Sequence, residues 1–236
     1  MHTPVLSAAA AVADISPGAS VMVGGFASAG IPYALIHALR DHGAADLTLI
    51  TNSGGSDRRP DHVVLLEAGL VRRVVCSYAT PATRPIPLDM LHAAGSVEVE
   101  MMPQGTFVER IRAGGAGIGG VLLRTGLGTP YAAGRELVDV GGVPHLLELP
   151  LRADVALVRA SRADPHGNLI YRAAARNFNP EMATAADLVI AEVDQIVELG
   201  DIDPEAVVTA GTYVDRIVVG GHAVERALGI HAWMQA

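Results

Sequence analysis

The sequence predicts an α/β fold, a mostly parallel sheet flanked by helices, with β-hairpin additions in its second half. Strand-like and helix-like segments alternate from the N-terminus to Arg112, the pattern of successive βαβ units. Half of the 236 residues are hydrophobic but only 4% are aromatic, so the apolar mass is Ala, Val, Leu and Ile. Such side chains suit buried parallel strands covered by small-residue helices. The hairpins are signalled by a Gly141-Gly142 turn and a Gly167-Asn168 turn, both of which favour the positive φ of tight β-turns.

Taken in order, residues 7–14 read as a short helix and 21–23 as an apolar strand entering Gly24-Gly25. Residues 32–41 carry Leu35, Ile36 and Leu39 at helical spacing. Strands are expected at 47–50, 72–77 and 97–102, with helices at 61–68, 88–94 and 104–112 between and after them. A glycine-dense stretch, AGGAGIGG, follows. In the second half, 136–140 and 145–149 form one hairpin, and 155–159 with 169–172 suggest another. A helix at 182–186 and a strand at 188–193 complete the reading. This mixed region is expected to fold onto the sheet as an appendage. No Pro/Ser-rich linker divides the chain, so 1–236 is read as a single domain.

Composition excludes several classes. The formal charge is −8 and no Lys/Arg run occurs, so a nucleic-acid surface is not expected. No uninterrupted apolar run of about 18 residues exists, and the N-terminus lacks the cationic start of a signal peptide; a cytoplasmic protein without a membrane span is the expectation. The lone Cys76 lies in the apolar run VRRVVCSY, where it reads as a small buried residue. There is no His-Glu-x-x-His, Cys pair or Gly-x-Ser-x-Gly, so neither a metal site nor a serine nucleophile is indicated.

Three stretches carry chemistry. In VMVGGFASAGIP (21–32) a strand runs into glycines and then a helix start. Glycines allow close approach of a ligand to the backbone, and a helix N-terminus presents N–H groups to an anion; a turn that simply needs small residues explains the same pattern. In MMPQGTFVERIRAGGAGIGGVLLRTGLGT (101–129), Gln104 stands at a strand end where ligands gather and offers both a donor and an acceptor. Its glycines imply close backbone packing or a mobile loop. In RADPHGNLIYRAAARNFNPEMA, Asn177 and Asn179 suit capping and loop hydrogen bonds. The glutamates, Glu192 among them, sit in ordinary helix or strand contexts as solvated or ion-paired groups. No residue in this chain stands out as a nucleophile.

The segments VGGFASAGIP, PQGTFVERIRAGGAG, RTGLGT, ADVALVRA, GNLIYR, ARNFNP and PEAVVTAGTYVDRIV, in this order over about residues 18–219, resemble the A (alpha) subunit of family I coenzyme A-transferases. That family includes acetate/acetoacetate, succinyl-CoA:3-oxoacid and 3-oxoadipate CoA-transferases. The resemblance implies a Rossmann-like sheet shared with sugar-phosphate isomerases, and an A–B heterodimer, often doubled to a heterotetramer. It implies a ping-pong exchange through a glutamyl-CoA thioester on the B subunit, with coenzyme A as substrate and no tightly bound cofactor. It places Asn52 and Gln104 in the substrate pocket, and Gly24, Gly25, Phe26 and Gly30 at the CoA-binding glycine motif. The chain departs from the family pattern at Pro17, at Thr51-Asn52 in place of two asparagines, at SYATPA from Ser77, and at Leu123-Arg124-Thr125-Gly126 in place of Thr-Pro-Thr-Gly. Arg124 is thereby marked as a substrate or subunit contact. A thioester hydrolase on the same scaffold and a ligand-sensing module are the alternative functions.

Overall fold

The computed structural model describes residues 2–56, 59–78 and 85–220. Residues 79–82 of the SYATPA departure lie outside this set. The elements run β1 (Val5–Leu6), α1 (Ala8–Val12), β2 (Ser20–Val23), α2 (Tyr33–His42), β3 (Leu47–Thr51), α3 (Val63–Glu67), β4 (Val71–Cys76), α4 (Pro87–Ala93) and β5 (Glu98–Met101). They continue with α5 (Gln104–Ala116), β6 (Val121–Leu123), β7 (Leu137–Val140), β8 (Val143–Glu148), β9 (Ala153–Ala163), β10 (Leu169–Ile170), α6 (Asn179–Thr184), β11 (Ala186–Ile196) and β12 (Arg216–Val219).

The main sheet has the order β1-β12-β11-β9-β2-β3-β4-β5. Every pairing along this path is parallel, and β10 adds antiparallel to β9. From β2 the chain steps outward through β3, β4 and β5, then returns to place β9 on the other side of β2. The crevice between β2 and β9 is therefore the topological switch point, where open α/β sheets bind ligands. Strand alternation sends Val21, Val23, Leu49 and Leu157 to one face and Met22, Ile50, Ala156 and Val158 to the other. The first face packs against α1 to α4, the second against α5 and α6.

One expectation changes. The second half is not an appendage: β9, β11 and β12 supply three of the nine strands of the main sheet, the two longest among them. β9 and β11 are each 11 residues long and mostly buried, so they lack the one-sided alternation that marks an outer strand. The appendage is smaller, an antiparallel sheet of order β6-β8-β7 whose Gly141-Gly142 turn has positive φ at both residues. Of the two readings of the glycine-dense stretch, close packing holds over AGGA, where α5 runs past the expected end at Arg112 to Ala116. Gly114 and Gly115 let that helix lie against the backbone at Leu151 and against Thr184.

Cys76 is fully buried at the end of β4, and burial pushes its thiol up to about 11, as an unreactive core residue requires. At the sheet's far edge, Arg216 of β12 grips Asp14 beyond α1 through both carboxylate oxygens, at 2.6 and 2.7 Å. Those hydrogen bonds hold the Asp14 carboxyl down to about 2, against ~3.9 in an unfolded chain. A depressed carboxyl contributes stability above its unfolded pKa and loses it as pH falls toward the folded value. Asp14→Asn is therefore expected to lower the unfolding midpoint at pH 7, with the deficit closing between about pH 4 and 2. Because Asp14 is largely exposed, solvent screening limits the effect to no more than ~1 kcal/mol. Denaturant titrations of both proteins across that window check this.

Candidate active site

The site is built on the C-terminal edge of the sheet. β2 stops hydrogen bonding to β9 at Gly24, whose N–H donates to Leu157 O at 2.9 Å. β9 runs on to Ala163, so the next N–H facing the gap, that of Arg159, needs another partner. The fully buried Asn179 provides it: Asn179 Oδ1 accepts from Arg159 N at 2.9 Å, while Nδ2 donates to Gly30 O at 3.1 Å and Ala175 O at 2.9 Å. A Cβ on Gly24 would collide with this amide, and one on Gly30 with Ala175 O. Asn177 stitches the same loop from outside, accepting from Gly25 N at 3.1 Å and donating to Ala29 O at 3.0 Å. Between these anchors Phe26 and Ala29 pair as a tight turn, and Phe26 is exposed. Of the roles expected of the two asparagines, the loop hydrogen bonds hold and the helix capping does not, since α6 is preceded by Phe178 without a side-chain cap. The glycines are small first because Asn179 occupies the space beneath them.

The N-terminus of α2 is not open to a ligand, contrary to the sequence reading. Its N–H groups at Ala34 and Leu35 donate to Glu192 Oε2 at 2.8 and 3.2 Å. Glu192 is fully buried and stands opposite Arg159 in the β9–β11 register. The Arg159 guanidinium lies 3.8 Å from Glu192 Oε1 and 2.6 Å from Asp194 Oδ1. The anion this helix end attracts is thus the protein's own side chain. Glu192 is neither solvated nor incidental; it docks α2 onto the switch point. Sequence spacing gave no hint of it, because its partners become neighbours only once β9 and β11 are paired.

Above these residues opens a cavity of about 870 Å³, bordered by Ser28–Gly30, by β9 from Arg159 to Arg162, by 170–175 and by Asp194 and Gln195. Beside it on the same edge, the register brings Val23 level with Thr51, so Gly24 and Asn52 are neighbours. Asn52 Oδ1 accepts from Gln104 Nε2 at 2.7 Å and from Ser77 Oγ at 2.9 Å. These three residues directly follow β3 and β4 or open the helix after β5, so one rule, polar residues at parallel strand ends, finds them all. Ser77 was noted in the sequence only as a departure, though it obeys that rule.

Asn52 and Gln104 are therefore brought together, with the Gly24–Gly30 loop next to them. Arg124 stands slightly apart. Its neighbour Thr125 approaches Gly105, with Oγ1 3.9 Å from where a Cβ would lie, so the 124–129 loop borders the Gln104 end. The loop is fastened by Tyr131, whose ring excludes any side chain at Gly126. Tyr131 donates to the buried Glu148 at 2.9 Å and lies under the Arg135 guanidinium, 3.6 Å from its ring centre. Burial and then Glu148 push the Tyr131 hydroxyl up to about 12. Arg124 itself is exposed and forms no ion pair among the described residues.

The Asn179 account has a direct test. Gly24→Ala and Asn179→Ala are each expected to destabilise the chain by about 1–3 kcal/mol, the first by overpacking, the second by leaving the Arg159 N–H and Gly30 O unpaired. Because the added methyl and the amide compete for one space, the double variant is expected to fall short of the sum by at least ~1 kcal/mol. Strict additivity in a thermal double-mutant cycle would remove Asn179 as the reason for the glycine.

Among the described residues no group of His, Cys, Asp and Glu could hold a metal ion, and no helix is long and apolar enough to cross a membrane. The family model for Coenzyme A transferase matches residues 5–220. The chain is 48% identical over 212 residues to the A subunit of the 3-oxoadipate CoA-transferase of Pseudomonas putida, covering 90% of this chain and 91% of that one. It is 44% identical over 218 residues to the A subunit of the succinyl-CoA:3-ketoacid coenzyme A transferase of Xanthomonas campestris pv. campestris (strain B100), covering 92% and 88%. Among solved structures, an acyl-CoA transferase from Escherichia coli O157:H7 superposes with a TM-score of 0.80 at 25% identity, covering 92% of this chain. The chain spans 47% of the length of that protein. With the parallel sheet and the amide-lined strand ends in place, these matches show that the chain belongs to the coenzyme A transferase family, on its A-subunit branch.

Proposed function

We propose that this chain is one half of a two-chain enzyme that moves CoA between an acyl-CoA, such as succinyl-CoA or acetyl-CoA, and a short-chain carboxylic or 3-oxo acid. The observation that carries the reading is the Asn52–Ser77–Gln104 cluster at the sheet edge. It consists of neutral donors and acceptors, suited to holding a carboxylate and stabilising an oxyanion. Among the described residues, no carboxylate, thiol or imidazole hydrogen-bonds to any of the three. Such an edge can bind and polarise but cannot attack, and the adjacent Cys76 thiol is buried and protonated. The nucleophile has to come from elsewhere, and the relatives, each the A member of its enzyme, point to a B chain.

In this reading a B-chain glutamate carboxylate attacks the thioester carbonyl and CoA thiolate leaves, giving an acyl-glutamyl anhydride. The thiolate then attacks the glutamyl carbonyl and expels the first acid. The second acid's carboxylate attacks the glutamyl thioester and expels the thiolate, giving a new acyl-glutamyl anhydride. The thiolate then attacks its acyl carbonyl, forming the product acyl-CoA and freeing the glutamate carboxylate. Each step passes through a tetrahedral oxyanion, and dividing the exchange in this way lowers each barrier. Asn52 and Gln104 hold the acyl end. Gly24, Gly25 and Gly30 shape the loop whose tip, from Phe26 to Ala29, borders the CoA channel. Arg124 contacts the substrate or the B chain from the neighbouring loop.

Three outcomes follow. The purified chain alone should show no exchange between succinyl-CoA and a 3-oxo acid or between acetyl-CoA and butyrate, and addition of its B chain should restore it. Robust turnover by a partner-free preparation would sink the half-site reading, and acyl-CoA hydrolysis without an acceptor acid would favour a hydrolase. In the assembled enzyme, Gln104→Ala should lower kcat by about 10²–10³ through loss of an oxyanion donor while the melting temperature and complex size stay unchanged. Arg124→Ala should either raise KM for dicarboxylic acids alone or weaken assembly at equal KM. No change in either would make it a solvated loop residue.

A further inference from the structure

We propose that Arg162 and Arg172 form a phosphate-binding subsite at the mouth of the switch-point cavity, taking the nucleotide end of the CoA thioester. This rests on the transferase reading above. Both residues line the cavity. They stand on the two arms of one hairpin: Ile170 pairs with Arg162 across β10 and β9. Arg172 lies two residues beyond Ile170 in extended backbone (φ −109°, ψ 122°), which keeps it a diagonal step from Arg162 on the same side of the hairpin.

The charge around them is unbalanced. Of the charged residues bordering the cavity, Arg159 is already committed, to Asp194 at 2.6 Å and to Glu192 behind it at 3.8 Å. Arg162 and Arg172 are exposed, and neither forms an ion pair or side-chain hydrogen bond among the described residues. A chain of formal charge −8 thus keeps two uncommitted guanidiniums at the rim of a concavity of about 870 Å³, a size suited to a cofactor-like ligand. Such a rim focuses positive potential, and guanidinium forks match phosphate oxygens in pairs.

Distance selects the phosphate end of the ligand over its acyl end. Leu157 is the β9 residue level with Val23 and Thr51, and Arg162 lies five residues further along, roughly 16 Å at ~3.3 Å per residue. β2 also separates β9 from β3, adding about 10 Å sideways. A short carboxylic acid held at Asn52 and Gln104 cannot reach the arginines. An extended thioester, with its acyl group at the amides and its phosphates some 15–20 Å away, can.

The test uses the assembled A–B enzyme carrying Arg162→Gln, Arg172→Gln or both, with Arg→Lys controls. KM is measured for an acyl-CoA and for the matching acyl-pantetheine, which has the thioester but no phosphate. The double variant is expected to raise KM for acyl-CoA about 10–100-fold, leaving kcat and the acyl-pantetheine KM unchanged and the lysine variants in between. Calorimetric titration of the complex with CoA should show a matching loss of affinity. Equal effects on both thioesters, or weaker A–B assembly at unchanged KM, would overturn the proposal, the latter making the arginines a subunit contact. Unchanged values throughout would also overturn it while leaving the transferase reading intact; a wild-type complex that neither binds nor exchanges CoA would overturn both.

Discussion

One buried amide organises the functional edge of this molecule. Where β2 ends and β9 continues, a parallel ladder loses a partner strand, and Asn179 substitutes for it. An amide side chain suits this place because it carries a donor and an acceptor on one rigid fork, as a peptide group does. Its bulk in turn dictates that Gly24 and Gly30 have no side chains. The loop between them is held at both ends while its tip remains exposed. A site can then be rigid at its base and accessible above, which is what preorganised binding demands.

Beneath the same loop the charges are arranged as a closed circuit. Glu192 answers the positive end of α2 and faces Arg159, which also reaches Asp194. Buried ions of this kind are weak evidence for net stability but strong determinants of geometry, since removing one strands the others. Their effect is to consume the charge of Arg159 and of the helix terminus, so the polarity left for a ligand lies further out on the strands. A similar division occurs at the sheet's other edge. There burial raises the Glu100 carboxyl, but Arg110 and Arg73 together outweigh it and hold the group below its usual range, tying β4 and β5 to α5.

Much of this was legible in the sequence, for local reasons. β2 to β5 and their helices follow short-range periodicity, and the Gly141-Gly142 turn announces itself. Gln104 follows from its position after a strand, whereas Asn52 is marked only by the family resemblance. What escaped reading depends on pairing between distant segments. β9 and β11 carry apolar residues on both faces, so they show no alternation that would place them centrally. β1 and β12 have two and four residues, too short for a periodic signal, and exist through each other. Glu192 resembles an ordinary strand glutamate until Arg159 and α2 are set around it. Sequence alone ends the helix at 112, before Gly114 and Gly115, because glycine is a poor helix former; the close packing those glycines also suggest carries α5 on to Ala116.

The pairing of β1 with β12 bears on how the chain is made. Val5 lies beside Ile217 and Leu6 beside Val218, so β1 is made long before the strand it pairs with. Until β12 emerges, β11 lacks its partner along residues 190–193, the kind of open edge that recruits other chains. A nascent chain stalled between Ile196 and Arg216 would carry this open strand. A product shortened before β12 would keep that edge open, whatever chemistry the finished sheet supports.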